Sequence, residues 1–188
     1  IAEAMRIPPE KFRWYAAYHD EGHHPHIHMM AWSDDPKVGF LTQKGIASIR
    51  SKMTNEIFRD EMTELYIRKD AAYKESIQTA EALLLERIRA LETGAADDPG
   101  LAKELQELSQ ALAQVGGKHV YSYLPKSVKA QVDAIVERLA QLPEVAACYD
   151  QWWQLKDEIA GYYGQNTPPR QPLTQRKEFR SLKNWIIR

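Results

Sequence analysis

Residues 19–28 read His19-Asp-Glu-Gly-His-His-Pro-His-Ile-His28, and five of the chain's six histidines fall within these ten positions. Random placement in 188 residues does not produce such a cluster, so it needs a physical cause. Its flanks supply a geometry. Residues 12–19, Phe-Arg-Trp-Tyr-Ala-Ala-Tyr-His, are rich in aromatics and predict a strand. Asp20-Glu21-Gly22 is turn chemistry. Residues 26–32, His-Ile-His-Met-Met-Ala-Trp, predict a second strand, which Ser33-Asp34-Asp35-Pro36 ends. The short gap between the two suits an antiparallel hairpin with a longish loop.

Side chains at i and i+2 of a strand share a face, ~6.5–7 Å apart. His26 and His28 therefore look one way and Ile27 the other. His19 ends the first strand and reaches the same point if the strands pair. Three neutral imidazoles on one face can hold an ion at ~2.0–2.2 Å and leave positions open, as catalytic metals require. On a helix, residues i and i+2 would not meet. Arg13, Tyr15 and Ala17 alternate onto the histidine face. Phe12, Trp14, Ala16, Tyr18, Ile27, Met29 and Ala31 form an apolar face, expected to pack on helices. Glu21, two residues after His19, is either an acceptor that orients a ligand imidazole or an exposed turn acid. His24 is a reserve ligand, His23 a turn residue and His119 a bystander. An adventitious surface zinc site is the competing account of the cluster.

Beyond the hairpin the pattern is helical. Thr42 suits an N-cap, and residues 43–93 form one long helix or two with a joint near Thr54-Asn55, closed by Thr93-Gly94. Leu101, Leu105, Leu108, Leu112 and Val115 make one apolar stripe, and Val128, Val132, Ile135, Val136 and Leu139 another. Val145 to Tyr163 predicts a third helix, and a basic helix follows the loop Pro168–Pro172. The fold class is α+β: antiparallel strands, then a mostly helical region.

The composition, 44% hydrophobic and 27% charged, is that of a globular chain. No apolar run approaches a membrane span, and no leader peptide opens the chain. One cysteine, Cys148, excludes a disulfide framework and fits a reducing cytoplasm. The net charge of −1 hides a gradient. Residues 1–36 hold six acids against Arg6, Lys11 and Arg13, whereas residues 164–188 hold six Lys and Arg against Glu178 alone. The basic end can face phosphate or be a solvated helix face. The chain lacks a starting Met, opens on what reads as the last turn of a helix (Ala2–Arg6) and stops on an apolar run, so a longer protein is expected around it.

The stretch Tyr15-Ala-Ala-Tyr-His-Asp-Glu-Gly-His-His-Pro-His-Ile-His-Met-Met resembles the MobL branch of the MobP class of HUH relaxases, the DNA-nicking enzymes of mobilisable plasmids. A second block agrees: Tyr123-Leu-Pro-Lys-Ser-Val-Lys, Val132-Asp-Ala-Ile-Val, Pro172-Leu-Thr-Gln and Lys177-Glu-Phe-Arg-Ser-Leu-Lys-Asn. The resemblance covers most of residues 10–188 and is thinnest from 75 to 115. It implies that residues 1–41 are the C-terminal part of an HUH core and that 42–188 are a helical region. It implies nicking at a transfer origin by tyrosine transesterification, with single-stranded DNA as partner and accessory relaxosome and coupling proteins beside it. The implied ligands are His19, His26 and His28, with Glu21 at the acidic catalytic position; Arg13, Arg176, Lys177 and Arg180 are the candidate DNA contacts. Family metals are manganese or magnesium; three histidines suit manganese, zinc, cobalt or nickel, whereas magnesium prefers oxygen. The family's nucleophilic tyrosine belongs to a strand well before the histidine motif, so it is expected upstream of residue 1. Met30, Ala31 and Trp32 stand where many relaxases carry a polar residue. The rival reading is a non-catalytic helical interaction module with a structural or incidental zinc site.

Overall fold

The computed structural model describes residues 1–20, 22, 24–95 and 98–188. The chain divides into two compact units, Ile1–Met62 and Thr63–Arg188.

In the first unit, β1 (Phe12–His19) and β2 (His26–Ser33) form the expected antiparallel hairpin. Its register runs from Phe12 opposite Ser33 to His19 opposite His26. Charge fastens the open end: Lys11 pairs with Asp35 at 2.9 Å and Arg13 with Asp34 at 2.5 Å. The hydrogen bond from Lys11, with that from the Lys37 N–H, holds the Asp35 carboxyl below its ordinary range. The apolar face is not packed on helices. Trp14, Tyr18 and Ile27 are each 60% exposed or more. Alternation correctly sorts the two faces but carries no information on whether anything covers them. Residues 2–6 also differ from expectation, forming turns rather than the end of a regular helix, with Arg6 at φ 54°.

α1 (Gln43–Ile57) begins where Thr42 accepts the Gly45 N–H at 3.0 Å. A Cβ on Gly45 would stand 2.9 Å from the Ala4 carbonyl, so only glycine lets this helix lie so close to the N-terminal turns. α2 (Arg59–Glu92) follows. The joint is at Phe58, a few residues after the expected Thr54-Asn55, because α1 runs on through both residues.

The second unit holds the rest of α2 with α3 (Pro99–Ala113), α4 (Lys126–Ala140), α5 (Pro143–Tyr162) and α6 (Arg180–Ile186). Asp98 caps α3 by accepting the Leu101 N–H, and Pro99 fills the first helical position, where no N–H is needed. The α4 stripe is buried at Val128, Val132, Ile135, Val136 and Leu139. The α3 stripe is buried at Leu101 and Leu108. Between α3 and α4 a forked ion pair joins Arg138 to Glu104 at 2.8 and 3.0 Å. Phe179 is fully buried, its ring 5.3–5.4 Å from those of Tyr73, Trp152 and Tyr149. Cys148 lies half-buried on α5.

Lys183 on α6 is the charged group at the centre of this packing, with 6% of its side chain exposed. Its three protons have three acceptors: Asp133 at 2.7 Å, the Thr174 carbonyl at 2.6 Å and the Tyr121 hydroxyl at 3.2 Å. Tyr121 in turn donates to Asp133 at 2.7 Å. Burial first, and then the Asp133 carboxylate, push the Tyr121 phenol up to about 12. Removing one member of such a set leaves a buried charge uncompensated. Asp133→Ala is therefore expected to cost about 3 kcal/mol in urea unfolding. Lys183→Met, which also removes the buried charge, is expected to cost less. Equal small losses would show that the network contributes little.

Candidate metal centre

The hairpin register places His19 directly opposite His26 and Ala17 opposite His28. Opposed residues of an antiparallel pair share a face, so all three rings stand on one side, with Arg13, Tyr15, Met30 and Trp32 further along it. Ring centroids are 5.4 Å apart for His19 and His26, 4.9 Å for His19 and His28, and 4.9 Å for His26 and His28. One nitrogen from each ring lies within 4.8 Å of the other two. His26 and His28 are exposed and His19 is half-buried, so the outer side of the trio is open to solvent.

The backbone sets the chemistry of one ring. His26 Nδ1 lies 2.8 Å from the His24 carbonyl. A carbonyl only accepts, so Nδ1 carries a proton, and in the neutral ring that a metal requires Nε2 presents the lone pair. That nitrogen is 3.1 Å from His28 Nε2. This is the usual support for a metal-bound histidine, with the far ring nitrogen tied to a carbonyl so that the near one is basic and aimed.

The donor set fits a divalent ion. Two nitrogens that each bind one ion at ~2.0–2.2 Å can be at most about 4.4 Å apart. A trio already within 4.8 Å needs only small side-chain rotations to close. Nitrogen donors favour manganese, zinc, cobalt or nickel over magnesium.

The other expected residues are dispersed. Glu21 and His23 lie outside the described residues. His24 contributes its carbonyl, and its side chain is not in the trio. His119 is 3.1 Å from the Val115 carbonyl, a bystander as expected. Arg13 is on the histidine face but is held by Asp34 and by the Glu10 and Phe12 carbonyls.

In the second unit, Arg176, Lys177 and Arg180 do converge. With Tyr121, Thr174 and Lys183 they line a cavity of about 80 Å³. Arg176 lies 4.5 Å above the Trp153 ring, and its Nε and Nη2 are buried without an acceptor. Two other cations of the basic segment are committed, Arg170 to Asp150 and Lys183 to Asp133. Sequence reading missed this division, because Asp133 and Asp150 come from helices far along the chain. It also missed Tyr121 and Thr174 as cavity walls, for which no local pattern exists.

A family model described as MobL relaxases matches residues 1–188. Comparison with curated proteins and with solved structures gave no match.

Calorimetry with manganese or zinc is expected to show that His26→Ala and His28→Ala each lose more than the 10–100-fold in affinity that removal of a supporting group costs. His19→Ala is expected to weaken binding severely. His119→Ala is expected to match the unaltered protein. Unchanged affinity in either β2 variant would dismiss the trio as the metal site.

Proposed function

The chain belongs to the MobL relaxases, and on that premise we propose that its histidine trio is the metal centre of a strand-specific DNA-nicking reaction at a plasmid transfer origin. The observation that carries the reading is the convergence of three imidazole nitrogens within 4.8 Å on an open face.

In this reading His19, His26 and His28 hold a divalent cation. Bound there, the cation supplies Lewis-acid stabilisation of charge developing on the scissile phosphate. His26 keeps its Nδ1 proton on the His24 carbonyl and so presents Nε2 throughout the reaction. Glu21 takes the acidic role that the family resemblance implies for its position. Arg13, on the same face, exchanges Asp34 for a DNA phosphate. Residues 1–41 act as part of an HUH core and 42–188 as its helical region, in the cytoplasm, with accessory relaxosome and coupling proteins as further partners. Among the described residues no helix is long and apolar enough to cross a membrane.

The attacking group is a tyrosine hydroxyl, which forms a bond to the scissile phosphorus as the 3′ oxygen of the DNA leaves. Neither hairpin tyrosine suits the role. Tyr18 alternates onto the opposite face, and Tyr15 pairs with Met30, two positions from Ala17 and farther from the trio. We assign the attack to a tyrosine outside residues 1–188.

The helical unit contributes affinity. Arg176, Lys177 and Arg180 contact backbone phosphate at their shared cavity. Each phosphate neutralised on a single strand contributes about 0.7 to the slope of log affinity against log salt.

Two outcomes follow. Replacing Arg176, Lys177 and Arg180 together by Gln is expected to reduce that slope by about 2 in anisotropy titrations. Replacing Arg170 is expected to leave it unchanged, and the reverse pattern would move the DNA contact elsewhere. Incubated with manganese and origin DNA, residues 1–188 are expected to form no covalent adduct on a denaturing gel. An adduct that Tyr15→Phe abolishes would make Tyr15 the nucleophile.

A further inference from the structure

The second unit carries another cavity, of about 620 Å³, unconnected with any role assigned above. That is the size of small-molecule sites. Its lining includes the aromatic residues Tyr66, Tyr73, Trp152 and Tyr163 and the amide residues Gln165 and Asn166. The Tyr66 phenol is fixed: its hydrogen bond to Tyr163, followed by burial, pushes it up to about 12.

The charges of this cavity cancel. Lys156 lies 3.3 Å from Glu178, and Lys69 lies 3.8 Å from Asp70. Burial pushes the Glu178 carboxyl up, but its backbone hydrogen bond and the Lys156 and Arg176 charges outweigh this and hold it low, so it stays ionised beside Lys156. Each lysine also sits over a wall ring, Lys69 4.8 Å from the Tyr66 centroid and Lys156 5.0 Å from that of Trp152. With two cations matched by two anions, nothing here selects an anionic ligand. An aromatic lining that also carries amide residues suits a flat, neutral ring bearing donors and acceptors on its edge.

The phosphate cavity adjoins this one along the chain. Residues 176–180 border both: Glu178 lines the aromatic cavity, while Arg176, Lys177 and Arg180 line the basic one. A neutral aromatic seat beside a cationic seat matches the alternation of base and phosphate in an unpaired strand.

We propose that the aromatic cavity is a nucleobase pocket that takes one unpaired base of single-stranded DNA, whose backbone phosphate occupies the neighbouring basic cavity. The proposal rests on the DNA-binding reading above, and it adds a base-recognising site in the helical unit that is separate from the histidine trio.

The test uses the full chain and labelled oligonucleotides in anisotropy titrations. The probes are a ten-residue oligothymidylate and an abasic strand with the same number of phosphates. Stacking one base is expected to favour the oligothymidylate at least about fivefold. Ala160 also lines the pocket, and Ala160→Leu is expected to bring the ratio to one while the salt slope stays as it was. Because a filled pocket could disturb α5, Gln165→Ala with Asn166→Ala provides a second variant in the loop after the helix. It is expected to reduce the ratio while the circular dichroism is unchanged. His26→Ala should leave the ratio intact, which separates the pocket from the metal centre. Free thymidine monophosphate is expected to bind more weakly than the oligonucleotide. Affinity equal to the strand's would overturn the strand as the source of the base. Equal binding of thymidylate and abasic strands by the unaltered protein would overturn the pocket alone. Binding of neither would overturn the DNA reading itself.

Discussion

The candidate chemistry depends on one register. His19 reaches the other two histidines only because β1 and β2 pair with His19 opposite His26. Side chains alternate with a period of two, so a slip of one residue on either strand would turn that strand's histidines to the far face. The open end helps to fix this register, where Lys11 and Asp35, Arg13 and Asp34, and the Asp34 N–H with the Lys11 carbonyl join the strands. Exposed ion pairs are individually weak, yet as a set at one strand end they favour a single alignment. Arg13 is thus part of the hairpin's closure as well as a candidate DNA contact, and substituting it tests both at once.

The helical unit solves a different problem, which is how to neutralise some cations while leaving others available. Lys183 has an acceptor for each proton, and Arg170 has Asp150. Arg176 is held by stacking on Trp153 rather than by a carboxylate. Stacking positions a guanidinium without cancelling its charge. The aromatic group of α5 therefore does more than fill a core. Trp152 packs on Phe179, Trp153 carries Arg176, and the Tyr149 ring lies under Arg170.

The sequence was most legible where local periodicity and spatial neighbourhood coincide. His26 and His28 share a face by alternation alone, and the α4 stripe is buried at each of its five apolar positions. Thr42 and Gly94 mark helix ends by local chemistry that needs no distant partner. Legibility failed where long-range placement decides. The apolar face of the hairpin was read as packed, yet Trp14 and Tyr18 are exposed. The basic end was read from its formal charges alone, yet Asp133 and Asp150, from other helices, neutralise two of its members. The helix joint moved to Phe58 because Thr54 and Asn55, though modest helix formers, cost too little to break a helix.

A two-stranded hairpin is marginal on its own, and both faces of this one carry exposed large side chains, from Trp14 and Tyr18 to Tyr15 and Met30. The ion pairs secure the open end and leave the loop end to the histidines. An ion shared by His19 on β1 and by His26 and His28 on β2 would join the strands where backbone pairing stops. Binding of that kind stabilises the ordered state in proportion to the logarithm of metal concentration above its dissociation constant. In the proposed centre, then, metal affinity and hairpin order are one quantity. A substitution that loosens the register lowers affinity without touching a ligand, and loss of a ligand loosens the strands. In that centre the ion would supply the rigidity of an exposed trio that is close to binding geometry and open on its outer side, where the proposed reaction brings in a phosphate.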